Sequence, residues 1–249
     1  MRSININQGW DFGLGQVDLG KRLRGIFGDR KVNLPHDYMI ESDVYADAPS
    51  GAASGYYNAG VAHYAREIDI PAEWEGEQVF LRLDGAMMNA TIEVNGDKAA
   101  LQHYGYVPFQ VDITRFVYPG QKNRVVITVN PSMQPNSRWY SGAGLFRGVE
   151  LVHTPRLRIA FGGLSGYTKK IEYSADSTPE TAYLQVSAEI DNAYAENRLA
   201  EVTFALIDDQ TGETIKTSRT LTQVQPMSVG TAYMTLTVDA PRKSRSLFR

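Results

Sequence analysis

Along much of this chain apolar and polar residues alternate one for one, the pattern of a strand with one buried face. In "VFLRLDG", Val79, Leu81 and Leu83 fall on one side, and in "ATIEVNGDKA" so do Ala90, Ile92 and Val94, with Asn95-Gly96 next. Asn-Gly between extended segments predicts a type I′ hairpin turn, because both residues accept positive φ. The β-branched run "NRVVITVN" ends at Pro131. Further on, Leu184, Val186, Ala188 and Ile190 oppose Tyr183, Gln185, Ser187 and Glu189. "VTFALIDDQTGETIKT" reads as strand, Asp/Gly turn and strand, and in "TAYMTLTVDAP" Ala232, Met234, Leu236 and Val238 share a face.

No stretch of about 12 residues carries a helical period. Short turns are expected near Asp29-Arg30 and from Ile113 to Phe116, and each of the four histidines reads as a loop or surface residue. Many short strands separated by turns predict an all-β protein built of β-sandwiches. A boundary is expected at Thr154-Pro155: loops rich in Tyr, Trp and Gly precede it, and cleaner, blander alternation follows. Residues 1–154 then form one sandwich and 155–241 a second, of immunoglobulin-like size. Residues 242–249, "RKSRSLFR", break the pattern with four basic side chains and read as a disordered tail.

Composition narrows the function classes. The 249 residues carry a net charge of −3, which gives no electrostatic case for nucleic acid or anionic lipid. There is no cysteine, hence no disulfide framework and no thiolate metal site. The start, "MRSININQGWDF", lacks the apolar core of a signal peptide, and no apolar run is long enough to span a membrane; the chain reads as cytoplasmic. His36, His63, His103 and His153 lack paired metal-ligand spacing, and no Gly-x-Ser-x-Gly elbow is present. No cofactor, metal or catalytic residue is assigned.

The chemistry that remains is aromatic. "NSRWYSGAGLFRGVEL" sets Asn136, Ser137, Arg138, Trp139 and Tyr140 beside glycines, and "SGYYNAG" carries Tyr56, Tyr57 and Asn58. "HYGYVPFQ", from His103 to Gln110, has similar content. Sugars present hydroxyls to polar groups and C–H patches to aromatic faces, and such loops suit both. The plainer reading is of corner aromatics that pack loops onto a core.

Taken together these segments resemble glycoside hydrolase family 2, the β-galactosidase, β-glucuronidase and β-mannosidase group. The resemblance runs through "NQGWDF", "VNLPHDY", "SGYYNAGVAHYAREIDIP", "ATIEVNGDKAALQHYGYVPFQVDIT" and "NSRWYSGAGLFRGVEL", and covers residues 4–153. It implies a jelly-roll, galactose-binding-like sugar-binding domain, followed by an immunoglobulin-like domain. It also implies a partner, a (β/α)₈ barrel carrying both catalytic carboxylates of a retaining mechanism, and a β-linked saccharide, a galactoside first, as substrate. The chain departs from the family where Leu-Trp is expected and Arg242-Lys243 stand, which a truncation or a frame slip explains. In related β-galactosidases the segment before the family Trp, here Asn136-Ser137-Arg138, reaches the terminal sugar; Ser137 stands where a carboxylate is usual. His36, Asp37 and Arg147 also match landmarks, and are expected to tie loops and strand ends together. Three readings follow: the non-catalytic front of a glycosidase, an autonomous carbohydrate-binding module, or a structural pair of sandwiches that buries its loops against another domain. Homo-oligomer formation is left open.

Overall fold

The computed structural model describes residues 2–17, 19–48, 51–57, 60–132 and 140–241. The chain is almost wholly β, and divides into two compact units, Met1–Thr154 and Pro155–Arg249. The tail 242–249 lies outside the described residues.

The first unit holds β1 (Arg2–Asn5), β2 (Trp10–Leu14), β3 (Arg30–Val32), β4 (Ala62–Asp69), β5 (Gln78–Leu83), β6 (Ala90–Val94), β7 (Asp97–Gln102), β8 (Phe109–Asp112), β9 (Lys122–Val129) and β10 (Val149–Thr154). They make a six-stranded sheet in the order β3-β2-β4-β9-β6-β7 and a four-stranded sheet in the order β1-β10-β5-β8. One core contains side chains of both: Tyr64, Ile92 and Ile127 from the larger sheet, and Leu81, Leu83, Val111 and Leu151 from the smaller. Each large aliphatic side chain so buried stabilises the fold by about 1.5–3 kcal/mol. The expected alternation holds in β6; in β5 Val79, Leu81 and Leu83 enter the core as expected, but Phe80 between them is buried as well, and Asn95 (φ 52°) and Gly96 (φ 95°) make the predicted turn into β7. Trp10 is wholly buried, and its Nε1–H donates to the Ile6 carbonyl at 2.7 Å.

Four expectations are corrected. Arg30 does not sit in a turn but opens β3, held by its guanidinium over the Phe12 ring at 4.9 Å and by a salt bridge to Glu41. The absence of a long helical period is compatible with the one-turn helix Leu19–Leu23, which is too short to leave one. His36 and His63 are buried, not on the surface, because each ring finds a hydroxyl: Tyr64 for His36 and Thr128 for His63. His153, on β10, stacks on Trp74 with ring centroids 4.5 Å apart. The expected turn near Ile113 is present as a 3-10 turn, Thr114–Phe116.

The second unit holds β11 (Leu157–Tyr173), β12 (Pro179–Asn192), β13 (Arg198–Ile207), β14 (Thr214–Val224) and β15 (Ser228–Asp239). The order β11-β12-β15 makes one antiparallel sheet, and the β13–β14 hairpin makes the other layer. Ala188, Ile190, Ala232 and Leu236 from the first meet Ala200, Val202, Phe204 and Val224 from the second. The hairpin turn is closed by Asp208, whose carboxylate accepts from the Gln210 and Thr211 amides at 2.9 and 3.0 Å. Asn192, fully buried, donates to the carbonyls of Glu196, Val224 and Gln225 and so ties the end of β12 to the end of β14.

Candidate functional site

The site grows from the segment after β3. Backbone bonds lay it alongside the loop that precedes β10: the His36 amide donates to the Leu145 carbonyl at 2.8 Å and the Tyr38 amide to Ala143 at 3.2 Å. Asp37 lies between these bonds. Its Oδ1 accepts from the amides of Met39 at 3.1 Å and Ala143 at 3.0 Å, and its Oδ2 accepts from the Tyr140 hydroxyl. One carboxylate thus caps the 3-10 turn Tyr38–Glu41 and holds the 140–143 segment.

Glycine is required at two points of that segment. Gly142 (φ +75°) passes so close that a Cβ would stand 3.0 Å from Asp37 Oδ2. Gly144 (φ +116°) would bring a Cβ to 2.6 Å from the His36 carbonyl oxygen and 2.5 Å from the Tyr64 hydroxyl. Gly144 also exchanges two 2.9 Å backbone bonds with Met87, so the loop is stitched on both sides.

Beneath lies a polar chain. His36 Nδ1 meets the Tyr64 hydroxyl at 2.8 Å and Nε2 meets Glu41 Oε1 at 3.1 Å, while the other Glu41 oxygen pairs with Arg30. The neutral ring with its proton on Nε2 satisfies every partner: Nε2–H donates to Glu41, and Tyr64 O–H donates to Nδ1. Burial holds the His36 imidazole below its ordinary 6.5, against the pull of Glu41. Burial works against ionisation of Glu41 too, but its bonds to Arg30 and His36 prevail and its carboxyl sits below the usual range. Burial first, and the Asp37 carboxylate second, push the Tyr140 phenol above its ordinary value.

Above this base three aromatic loops converge. Tyr57 meets Tyr140 edge-on, with centroids 5.2 Å apart. The Tyr106 hydroxyl donates to the Ser141 carbonyl at 3.1 Å, and the Tyr106 ring meets Phe146 and Tyr104 edge-on at 6.1 and 5.7 Å. Tyr56 (φ 63°) is held by its amide to the Gly51 carbonyl at 2.8 Å and stays 44% exposed. The result is a ledge of two partly exposed tyrosine pairs, Tyr57–Tyr140 and Tyr104–Tyr106, joined through the Ser141 backbone.

Of the residues singled out from sequence, Tyr57 and Tyr140 are brought into contact, and Tyr56 adjoins them in the chain. Asn58, Asn136, Ser137, Arg138 and Trp139 lie outside the described residues. The Arg147 guanidinium sits over Phe146 at 5.3 Å and donates to the Asp84 carbonyl at 3.3 Å, beside the end of β5. Sequence reading missed Tyr64 and Glu41 as partners of His36, and Arg30 as the partner of Glu41, since none stands in a motif with it. Among the described residues no group of three His, Asp or Glu side chains is placed to hold a metal ion.

Residues 31–155, half of the chain, match the sugar binding domain of the glycosyl hydrolases family 2. The chain belongs to glycosyl hydrolase family 2. It is 32% identical over 171 residues to the β-galactosidase BoGH2A of Bacteroides ovatus, covering 68% of this chain and 20% of that protein. With a β-glucuronidase of Bacteroides fragilis it shares 28% identity, over 61% of this chain and 21% of the relative. The solved structure of a glycosyl hydrolase family 2 member from Bacteroides cellulosilyticus superposes with a TM-score of 0.84 at 26% identity, covering 97% of this chain and 31% of that one. The family 2 chain therefore spans about a fifth of the length of these curated relatives.

Proposed function

We propose that this chain is the non-catalytic, sugar-facing front part of a retaining β-glycosidase of family 2, acting on a β-galactoside. The observation that carries the reading is the set of tyrosines on these loops: Tyr57 packs on Tyr140, and Tyr106 donates to the backbone of Ser141, the residue after Tyr140, over the hydrogen-bonded polar base. The name β-galactosidase of the Bacteroides ovatus relative supports the choice of sugar. Retention needs two carboxyls about 5–5.5 Å apart, one protonating the leaving oxygen and one attacking the anomeric carbon. The carboxylates at this site are otherwise engaged: Asp37 accepts three hydrogen bonds and Glu41 bonds Arg30 and His36. In this reading the reacting pair belongs to a catalytic domain elsewhere in the full enzyme.

The ledge's part is to orient. Tyrosine rings offer apolar faces to sugar C–H groups, and their hydroxyls give directional contacts. Tyr140 O–H already donates to Asp37, so its oxygen is left to accept from a sugar hydroxyl, with its ring angle set by Tyr57.

Two measurements test the reading. The chain alone should release no chromophore from aryl β-galactosides or β-glucuronides. Turnover abolished by replacing one carboxylate of this chain would overturn it. In an NMR titration with galactose, half a site should bind no tighter than about millimolar, with shifts at Tyr57, Tyr106 and Tyr140 lost in Tyr140→Ala. Sub-millimolar affinity would instead favour an autonomous carbohydrate-binding module.

A further inference from the structure

We propose that the outer face of the β11-β12-β15 sheet, in the second unit, holds a neutral glycan chain on three tyrosines, Tyr167, Tyr183 and Tyr233. This site requires no turnover, so it stands or falls separately from the proposed function.

Even-numbered residues of β12 and β15, such as Ala188 and Leu236, turn inward to the core of the unit, so the odd-numbered ones turn outward. The register sets Tyr167 of β11, Gln185 of β12 and Thr235 of β15 in one row across that outer face. The next row on one side carries Ser187 and Tyr233, and the next on the other carries Lys170 and Tyr183. Strands lie about 4.8 Å apart and such rows about 7 Å apart, which puts Tyr183 about 8 Å from Tyr167 and Tyr233 about 12 Å from it. Tyr167 and Tyr233 are 61% and 70% exposed. The polar groups between them are held in place. Gln185 Nε2 donates to the Met234 carbonyl at 3.1 Å, and its Oε1 accepts from the Thr235 hydroxyl at 3.2 Å. The Tyr183 hydroxyl donates to Glu172 at 3.1 Å, with Lys170 Nζ 5.7 Å from the centre of its ring. Side chains already held lose little freedom when a ligand arrives.

The make-up of the face selects the occupant. Alternation asks only for polar residues on an outer face. The exposed face of the β13–β14 hairpin meets that demand with the Glu201–Arg219 ion pair and Thr203, beside Leu199 and Leu221, and has no aromatic ring. The face of the larger sheet differs. From Thr181 to Ser187 of β12 and their partners on both sides it presents rings, hydroxyls and an amide, and no aliphatic side chain. A protein partner finds no aliphatic centre there. A polyanion finds no free cation: Lys170 is paired with Glu172 at 2.6 Å, and Asp239 adds a negative charge. A neutral sugar chain meets every group, with pyranose C–H faces on the tyrosine rings and hydroxyls on Gln185 and its neighbours. The span from Tyr183 to Tyr233, about 14 Å, calls for several linked rings and not a monosaccharide.

The test is native gel electrophoresis of this chain through gels containing soluble β-1,4-galactan, soluble β-1,4-mannan or polygalacturonate. At least one of the two neutral polymers should retard it, polygalacturonate should not, and free galactose at equal sugar weight should not relieve the retardation. Tyr167→Ala with Tyr233→Ala, both at exposed positions, should weaken the binding by about tenfold or more and leave the melting temperature unchanged. Tyr167→Trp with Tyr233→Trp, which keep a ring at each position, should retain it. Tyr140→Ala, in the first unit, should leave it untouched. Passage unhindered by both neutral polymers, equal retardation by polygalacturonate, or relief by galactose overturns the inference. So does retardation that Tyr140→Ala abolishes and the double alanine variant does not, which places the polymer on the first unit and leaves the proposed function standing. A dimer by light scattering that Tyr233→Ala dissociates gives the face to a second copy and overturns it as well. Loss of the galactose shifts at Tyr57 and Tyr140, with polymer retardation kept, overturns the ledge alone.

Discussion

Replacing Asp37 with alanine removes one carboxylate and three hydrogen bonds at once, to Met39 N–H, Ala143 N–H and Tyr140 O–H. A hydrogen bond to a charged acceptor contributes about 1.5–3 kcal/mol net, but the site is half-exposed and water re-pairs part of what is lost. Loss of a cap alone costs about 0.5–2 kcal/mol. The Ala143 amide is the group least able to recover, because its residue is fully buried. We therefore expect Asp37→Ala to destabilise the first unit by about 3 kcal/mol, a fall in Tm of about 6–12 °C for a unit of this size. Asp37→Asn keeps one carbonyl oxygen as acceptor and should lose about half as much.

Differential scanning calorimetry gives the overall loss, and a double-mutant cycle isolates the clamp. Tyr140→Phe should cost about 1 kcal/mol, and Tyr140→Phe added to Asp37→Ala almost nothing more, a coupling of about 1 kcal/mol. Additive losses, or an Asp37→Ala chain within about 0.5 kcal/mol of the parent, would refute the claim that this carboxylate holds the loop.

Three further outcomes are expected. Burial holds His36 and His63 below 6.5, so the unfolded chain takes up protons that the folded unit refuses. Stability is then full above about pH 6.5 and falls on acidification by up to about 1.4 kcal/mol per pH unit per histidine, with Glu41 adding loss in the same direction at lower pH; urea midpoints at pH 7.5 and 5.5 measure it, and His36→Gln should flatten the slope. Gly144→Ala, which must place a Cβ 2.6 Å from the His36 carbonyl oxygen at φ +116°, should cost more than about 2 kcal/mol by chemical denaturation, whereas Gly76→Ala, in open space at φ +80°, should cost about 1. Asn192→Leu should leave three carbonyls without their shared donor and lower the stability of the second unit by about 3 kcal/mol, visible as faster exchange at the ends of β12 and β14.

What was legible in the sequence is what a period of two can carry. Leu81, Leu83, Ile92 and Val94 face the core as their alternation requires, and Asn95-Gly96 is a turn because few other pairs accept two positive φ values. What was illegible has no local pattern. Phe27, Ala65 and Val126 form a second small core from residues far apart in the chain, the latter two at strand positions that alternation assigns to the outer face. His36 looked like a surface residue because a histidine in a loop usually is one; its burial depends on Tyr64, Glu41 and Arg30 arriving from other elements. The meeting of the three aromatic loops was suggested by their shared composition, but the contacts that fix it, such as Tyr106 to the Ser141 backbone, are choices of geometry.

The division of labour within the site follows from the same geometry. A ledge that orients a sugar must not yield under it, and a loop of exposed tyrosines has little apolar burial to hold it. Here rigidity comes from below. The Leu-Pro-His-Asp segment contributes backbone bonds to Leu145 and Ala143, a buried imidazole bonded at both nitrogens, and a carboxylate that reaches Tyr140 itself. Gly142 and Gly144 allow the close approach those bonds require. Asp37 and His36, with their bonds to neighbouring groups, thus hold the loop in place, and of the side chains left facing outward Tyr106 and Tyr140 have phenols that burial pushes above the ordinary value. That arrangement fits the proposed role, in which the surface orients a sugar and other groups do the chemistry.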